Sequence, residues 1–161
     1  MMKILLITLP RTGSTSLLKQ ISTERGLNSI SEPFNEVDNN IEKYKKFNWK
    51  FTNNICVKTH INHREIPFYL DFVKFFDEVI LLSRKDLIAC AESLSYANHF
   101  KNFDSQYVWV NTPNLKYNIE LIKKFDKKLL ELSKMINTNI IYYEDIFDVN
   151  SSNRLRIVNQ I

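Results

Sequence analysis

Four short apolar runs recur along this chain, at Lys3–Leu9, Ile55–Thr59, Val79–Leu82 and Asn139–Tyr143, and the stretches between them carry apolar residues at helical spacing. Runs this brief, rich in Ile, Leu and Val, read as strands buried on both faces. Strands joined by helices rather than by tight turns pair in parallel, which predicts an α/β fold of three layers around a central, mostly parallel sheet. The helical stretches are Ser14–Arg25, closed by Gly26; Phe68–Phe76; one beginning behind Asp86 as N-cap and using Leu87, Ala91 and Leu94; a long amphipathic one from Leu115 to Ile136; and a terminal helix after residue 150. In such a sheet the ligand site lies beyond the carboxyl ends of the strands.

Length and composition narrow the class. The 161 residues, 44% apolar and 12% aromatic, suffice for one domain spanning 1–161 with a core, while 2 Gly and 4 Pro exclude collagen-like and linker-like chains. The apolar start Ile4-Leu5-Leu6-Ile7 falls far short of the roughly 20 residues that span a bilayer and has no secretory cleavage pattern, so neither stable membrane anchoring nor export is expected. Cys56 and Cys90 sit in apolar runs without CxxC spacing or clustered histidines. They read as reduced core thiols of a cytoplasmic protein, and no metal site is expected. The charge of +4 comes from 22 basic and 18 acidic residues, mostly scattered lysines, and Lys123-Lys124 and Lys127-Lys128 fit a solvated helix face. No nucleic-acid partner is expected, although a small polyanion would be favoured by the field.

Three strand ends carry polar residues beyond what capping needs. The first is Pro10-Arg11-Thr12-Gly13-Ser14-Thr15, between the first strand and its helix. Exposed amides, two hydroxyls and an arginine at a helix start make an oxyanion cradle. Having one glycine and an arginine, it fails the Walker pattern GxxxxGK[ST], so ATP is not its natural ligand. The second is Ser83-Arg84 with Ser93 nine residues after the arginine, a fork and a hydroxyl able to grip a phosphate. The third is Lys58-Thr59-His60, with Glu32-Pro33 on the preceding connection; these offer a cation and two candidate proton acceptors.

Together these segments resemble the sulfotransferases that use 3'-phosphoadenosine-5'-phosphosulfate (PAPS). Ile7 to Leu17 resembles the arginine version of their 5'-phosphosulfate loop, found in carbohydrate and bacterial glycolipid sulfotransferases. Val79 to Leu94 resembles the 3'-phosphate element, its spacing closest to the trehalose sulfotransferase branch. Ser31-Glu32-Pro33-Phe34 is similar to the segment from which that branch draws its base, whereas Val57-Lys58-Thr59-His60 is similar to the Lys-Thr-His of cytosolic aryl and steroid sulfotransferases. Tyr142-Tyr143-Glu144-Asp145-Ile146 resembles the Tyr-Glu-Asp-Leu element of a late core strand. The matches run from residue 4 to residue 147 in family order, but no Arg-Lys-Gly segment follows the last of them.

The resemblance implies a small P-loop-kinase-like sulfotransferase fold and transfer of a sulfuryl group from PAPS to a carbohydrate, lipid or other small-molecule hydroxyl, releasing 3',5'-phosphoadenosine (PAP). Arg11, Thr12, Gly13, Ser14, Thr15, Ser16, Arg84 and Ser93 would bind PAPS; Arg11 and Lys58 would stabilise developing charge; Glu32 or His60 would be the base. No metal is called for. Acceptor contacts fall to Phe34–Trp49 and Lys101–Thr112, with Trp109 beside Tyr107 as a stacking candidate. The alternatives are a catalytically silent module that binds PAP or another polyanion, and a P-loop-like kinase. The oligomeric state stays open, a homo-oligomer included.

Overall fold

The computed structural model describes residues 2–35, 47–50, 52–100 and 114–147. The chain runs through β1 (Lys3–Thr8), α1 (Ser14–Arg25), β2 (Asn28–Ser31), β3 (Ile55–His60), a 3-10 turn (Ile61–His63), α2 (Ile66–Phe72), β4 (Glu78–Ser83), α3 (Leu87–Phe100), α4 (Leu115–Ile136), β5 (Ile140–Tyr142) and α5 (Tyr143–Phe147). The five strands form one parallel sheet in the order β2-β3-β1-β4-β5. β1 is central because it is apolar on both faces: Ile4 and Leu6 point to one layer, Leu5 and Ile7 to the other, and all four are 0% exposed.

The alternation sorts the helices into two outer layers. Ile4, Leu6, Cys56, Ile80 and Leu82 pack with Leu17, Leu18 and Ile21 of α1 and Ile146 of α5. Leu5, Ile7, Val57 and Leu81 pack on the opposite face with Tyr69 and Phe72 of α2, Cys90 and Ala91 of α3, and Ile122, Leu129 and Leu132 of α4. Between α3 and α4, Asn118 donates to the buried Ser95 hydroxyl at 2.7 Å, so the polar pair inside this layer satisfies itself. The sequence reversal that sends the chain from β1 out to β2 and back to β3 puts a crevice above the carboxyl end of β1, between β3 and β4.

The strands β1, β3 and β4 shift from the sequence reading by a residue at one end or both, and the larger differences lie elsewhere. α2 begins at Ile66 rather than Phe68, with Pro67 in the first turn where its missing N–H costs no hydrogen bond, and it ends in a 3-10 turn at Val73–Phe75. The last strand stops at Tyr142, and Tyr143 already opens α5. β2 was not foreseen. Only Ile30 of its four residues is buried, so this edge strand lacks the apolar run by which the others are recognised. The terminal helix expected after residue 150 lies outside the described residues.

Candidate functional site

The cradle begins where β1 ends. Thr12, 0% exposed, donates its hydroxyl to the Leu9 carbonyl at 2.8 Å, so its side chain shapes the loop rather than facing a ligand. Arg11 and Gly13 both have positive φ, 61° and 66°, which turns successive peptide groups towards one concavity. Gly13 is the N-cap of α1, and no side chain caps that helix. Ser14 is buried, while Thr15 and Ser16 are exposed at the mouth of the first turn. The helix dipole and its first amides favour an anion there.

The glycine has a reason beyond ligand approach. A Cβ on Gly13 would stand 2.8 Å from Tyr143 Cε2 and 3.1 Å from Phe147 Cε2, because the paired rings of α5 back the loop. Gly13→Ala is thus strained by its φ and by the displaced ring. It is expected to lower unfolding free energy by about 2 kcal/mol or more in urea denaturation. A loss within about 0.5 kcal/mol would show that these rings do not pack on the loop.

The second wall joins the first directly. Arg11 Nε donates to Ser93 Oγ of α3 at 2.9 Å, and Arg84 Nη1 approaches the Arg11 carbonyl at 3.4 Å. The three residues expected at opposite ends of one donor thus meet in one patch, with Ser93 6% exposed. Arg84 is clamped from behind: its guanidinium lies 4.8 Å over the Tyr143 ring, and Nε is 3.5 Å from Glu144 Oε1. Glu144 also accepts from the Lys85 and Asp86 amides at 2.8 and 3.1 Å, which fixes α5 against the start of α3. Asp86 caps α3 as expected, accepting from the Ala89 amide at 2.8 Å. Ser83, beside Arg84 in sequence, is turned away to Asp126 of α4 at 2.6 Å.

The third group comes from β3 and the end of β2. Lys58 is 2% exposed, and its ammonium donates to Glu32 Oε1 at 2.5 Å and to Thr15 Oγ1 at 3.3 Å. A lysine from the neighbouring strand thereby reaches the cradle that lacks one in its own loop. Glu32 holds a positive φ of 51°, unusual for a non-glycine, and continues the β2–β3 ladder through its amide to the Lys58 carbonyl at 2.7 Å. His60 Nε2 lies 3.6 Å from Glu32 Oε1. Burial works against ionising Glu32, but its neighbours His60, Lys58 and His63 outweigh it, Lys58 both by its charge and by its hydrogen bond, and the carboxyl is held below its ordinary range. Burial, then Lys58, push His60 down to about 3 against the pull of Glu32. With the imidazole neutral at pH 7, Lys58 is the charge that keeps Glu32 ionised.

The structure corrects two expectations. Histidines are clustered after all: His63, on the 3-10 turn, joins His60 and Glu32, with the three groups' ligand atoms within 4.8 Å of one another. The spacing of three residues was the available signal, since a 3-10 turn stacks i and i+3 on one side. The ends of the proposed acceptor segment also prove structural. Phe34 packs 4.8 Å from Phe68 and 5.0 Å from Phe72, and Trp49 lies 5.0 Å from Phe72. Residues 101–113, with Tyr107 and Trp109, lie outside the described residues. Both cysteines are buried free thiols, Cys90 Sγ donating to the Pro10 carbonyl at 3.0 Å beneath the cradle. Among the described residues, no helix is long and apolar enough to cross a membrane.

A parallel five-stranded sheet between helical layers, with a tight loop of positive φ leading from the central strand into α1, defines a P-loop-kinase-like α/β fold. The same architecture is found in the crystal structure of shikimate kinase from Bacteroides thetaiotaomicron, with a TM-score of 0.54 at 12% identity over 99% of this chain and 99% of that one. No family model matches the chain, and no curated protein matches it in sequence.

Proposed function

We propose that this chain is a PAPS-dependent sulfotransferase, of the EC 2.8.2 class, acting on a hydroxyl of a carbohydrate, lipid or other small molecule. The observation that carries this reading is the Arg11 to Ser93 hydrogen bond of 2.9 Å, with Arg84 against the Arg11 backbone. It unites a 5'-anion cradle with an arginine–serine pair suited to a second phosphate, which is what a donor phosphorylated at both 3' and 5' ends requires. PAPS enters as co-substrate and PAP leaves as product.

In the reaction the bond from sulfur to the bridging phosphate oxygen breaks, and PAP departs with the electron pair. The acceptor oxygen forms the new S–O bond, and its proton passes to Glu32. Negative charge grows on the departing oxygens and is met by Arg11, by the first amides of α1 and by Lys58, which hydrogen-bonds Thr15 at the start of that helix. Donors fixed before the reaction stabilise that charge without reorganisation. His60, beside Glu32, orients the carboxylate. Arginine and backbone dipoles supply the neutralisation, so the chemistry asks for no metal. The buried free thiols suit a reducing compartment such as the cytoplasm.

The shikimate kinase fold favours a second reading, a phosphoryl-transferring kinase, and one experiment separates the two. Thermal stabilisation by PAP is expected to exceed that by 5'-AMP or by ATP with magnesium; ligand at 100 times its Kd adds about 2.7 kcal/mol. Arg84→Ala should weaken PAP binding by about 10- to 100-fold and leave 5'-AMP nearly unchanged. Equal affinity of the unaltered chain for PAP and 5'-AMP in calorimetry would refute the donor assignment, and stronger stabilisation by ATP with magnesium would favour the kinase. Binding of PAP without turnover of radiolabelled PAPS would identify a silent binding module.

A further inference from the structure

We propose that Glu32, His60 and His63 form a binding site for zinc or a similar divalent transition-metal ion, and that an ion seated there blocks the base assigned to Glu32. The binding half stands on geometry alone; the inhibitory half rests on the sulfuryl-transfer reading.

Two imidazoles and one carboxylate are a zinc ligand set that leaves a fourth position open. Zinc bonds of about 2.0–2.2 Å put tetrahedral ligand atoms roughly 3.3 Å apart. Glu32 Oε1 and His60 Nε2, at 3.6 Å, are close to that separation already. All three ligand atoms lie within 4.8 Å of one another, so closing on an ion takes a shift of about an ångström. His63 can supply it, being half-buried on a single 3-10 turn.

Outer partners are in place for the Glu32 and His63 side chains, and the backbone that carries His60 is anchored. Asn35 Nδ2 donates to Glu32 Oε2 at 3.1 Å, Thr59 Oγ1 stands 3.4 Å from His63 Nδ1, and the Tyr69 hydroxyl donates to the His60 carbonyl at 2.6 Å. Such contacts orient metal ligands. Lys58 is the opposing element, its ammonium 2.5 Å from Glu32 Oε1. A carboxylate offers about four lone-pair positions, so this hydrogen bond does not exhaust the oxygen. The lysine charge instead weakens binding, making the site reversible rather than structural. Nitrogen ligands select zinc, copper or nickel over magnesium and calcium. An ion on Oε1 draws electron density from the whole carboxylate and leaves it a poor proton acceptor, hence the inhibition.

The test is calorimetric titration of the full chain with zinc chloride in phosphate-free buffer, with magnesium chloride alongside. One zinc per chain and no magnesium uptake are expected. His63→Asn, outside the transfer machinery, should lower zinc affinity at least about 10-fold at unchanged melting temperature, and His60→Asn with His63→Asn should abolish binding. No zinc uptake, or affinity unchanged in the double variant, overturns the site. Should the double variant fail to fold, the cobalt(II) spectrum of the unaltered chain decides: a four-coordinate visible band supports the site, and its absence overturns it. Zinc that binds without slowing PAPS turnover overturns the inhibitory half alone.

Discussion

Glu32→Gln is expected to lower turnover of sulfuryl transfer by about 100-fold or more while leaving PAP affinity within a factor of about two. The carboxylate is ionised and lies at the carboxyl end of the sheet, with Lys58 joining it to the cradle hydroxyl of Thr15. Glutamine keeps an oxygen for the Lys58 ammonium to donate to, so the 2%-exposed charge is not left without an acceptor. What glutamine lacks is the capacity to take a proton. The measurement is single-turnover transfer from radiolabelled PAPS, with any acceptor that supports turnover, beside PAP calorimetry. His60→Asn should do less, because an imidazole pushed to about 3 is a weak proton acceptor at neutral pH. If His60→Asn abolishes transfer while Glu32→Gln stays near wild type, the base is His60.

The second large effect is expected at Arg11. Arg11→Ala should reduce kcat by about 100-fold, and PAP affinity by much less. The guanidinium is held at Nε by Ser93, so its remaining N–H groups are fixed in orientation before charge reaches the leaving oxygens. A contact that strengthens as the S–O bond breaks lowers the barrier more than it tightens the ground state. Weakened PAP binding with unchanged saturated turnover would assign Arg11 to ground-state binding only.

The sequence and the structure agree where burial is strong. β1, β3 and β4 announce themselves because apolar residues on both faces leave no other conformation as good, and α1 because its Leu17, Leu18 and Ile21 fall on one stripe ahead of Gly26. The positions of the Arg11–Thr15 loop and Arg84 just past their strands, and of Lys58 near the end of β3, were legible because the carboxyl ends of a parallel sheet have a fixed place. β2 was not, since a polar edge strand with one buried residue has no period to read. Glu32 was legible as a proton acceptor on the connection before β3, but not as the residue that follows an edge strand. The partners that depend on packing were also hidden: nothing local says that Ser83 turns to Asp126, that Thr12 turns inward, or that Tyr143 and Glu144 hold Arg84.

The rings of Tyr143 and Phe147 behind Gly13 have a consequence for the birth of the molecule. The cradle leaves a ribosome before its rear wall, because Tyr143 and Phe147 follow Gly13 along the chain with β2, β3, β4 and β5 between them. β1 itself pairs only with strands that begin at Ile55 and Glu78. The nascent strand must therefore wait, with its apolar faces exposed, until β3 and β4 emerge, and the loop behind it until residues 143–147 do; contacts this distant in sequence close slowly. A translational pause or a stop codon between α4 and α5 would yield a chain with the cradle's residues present and the cradle itself unbuilt.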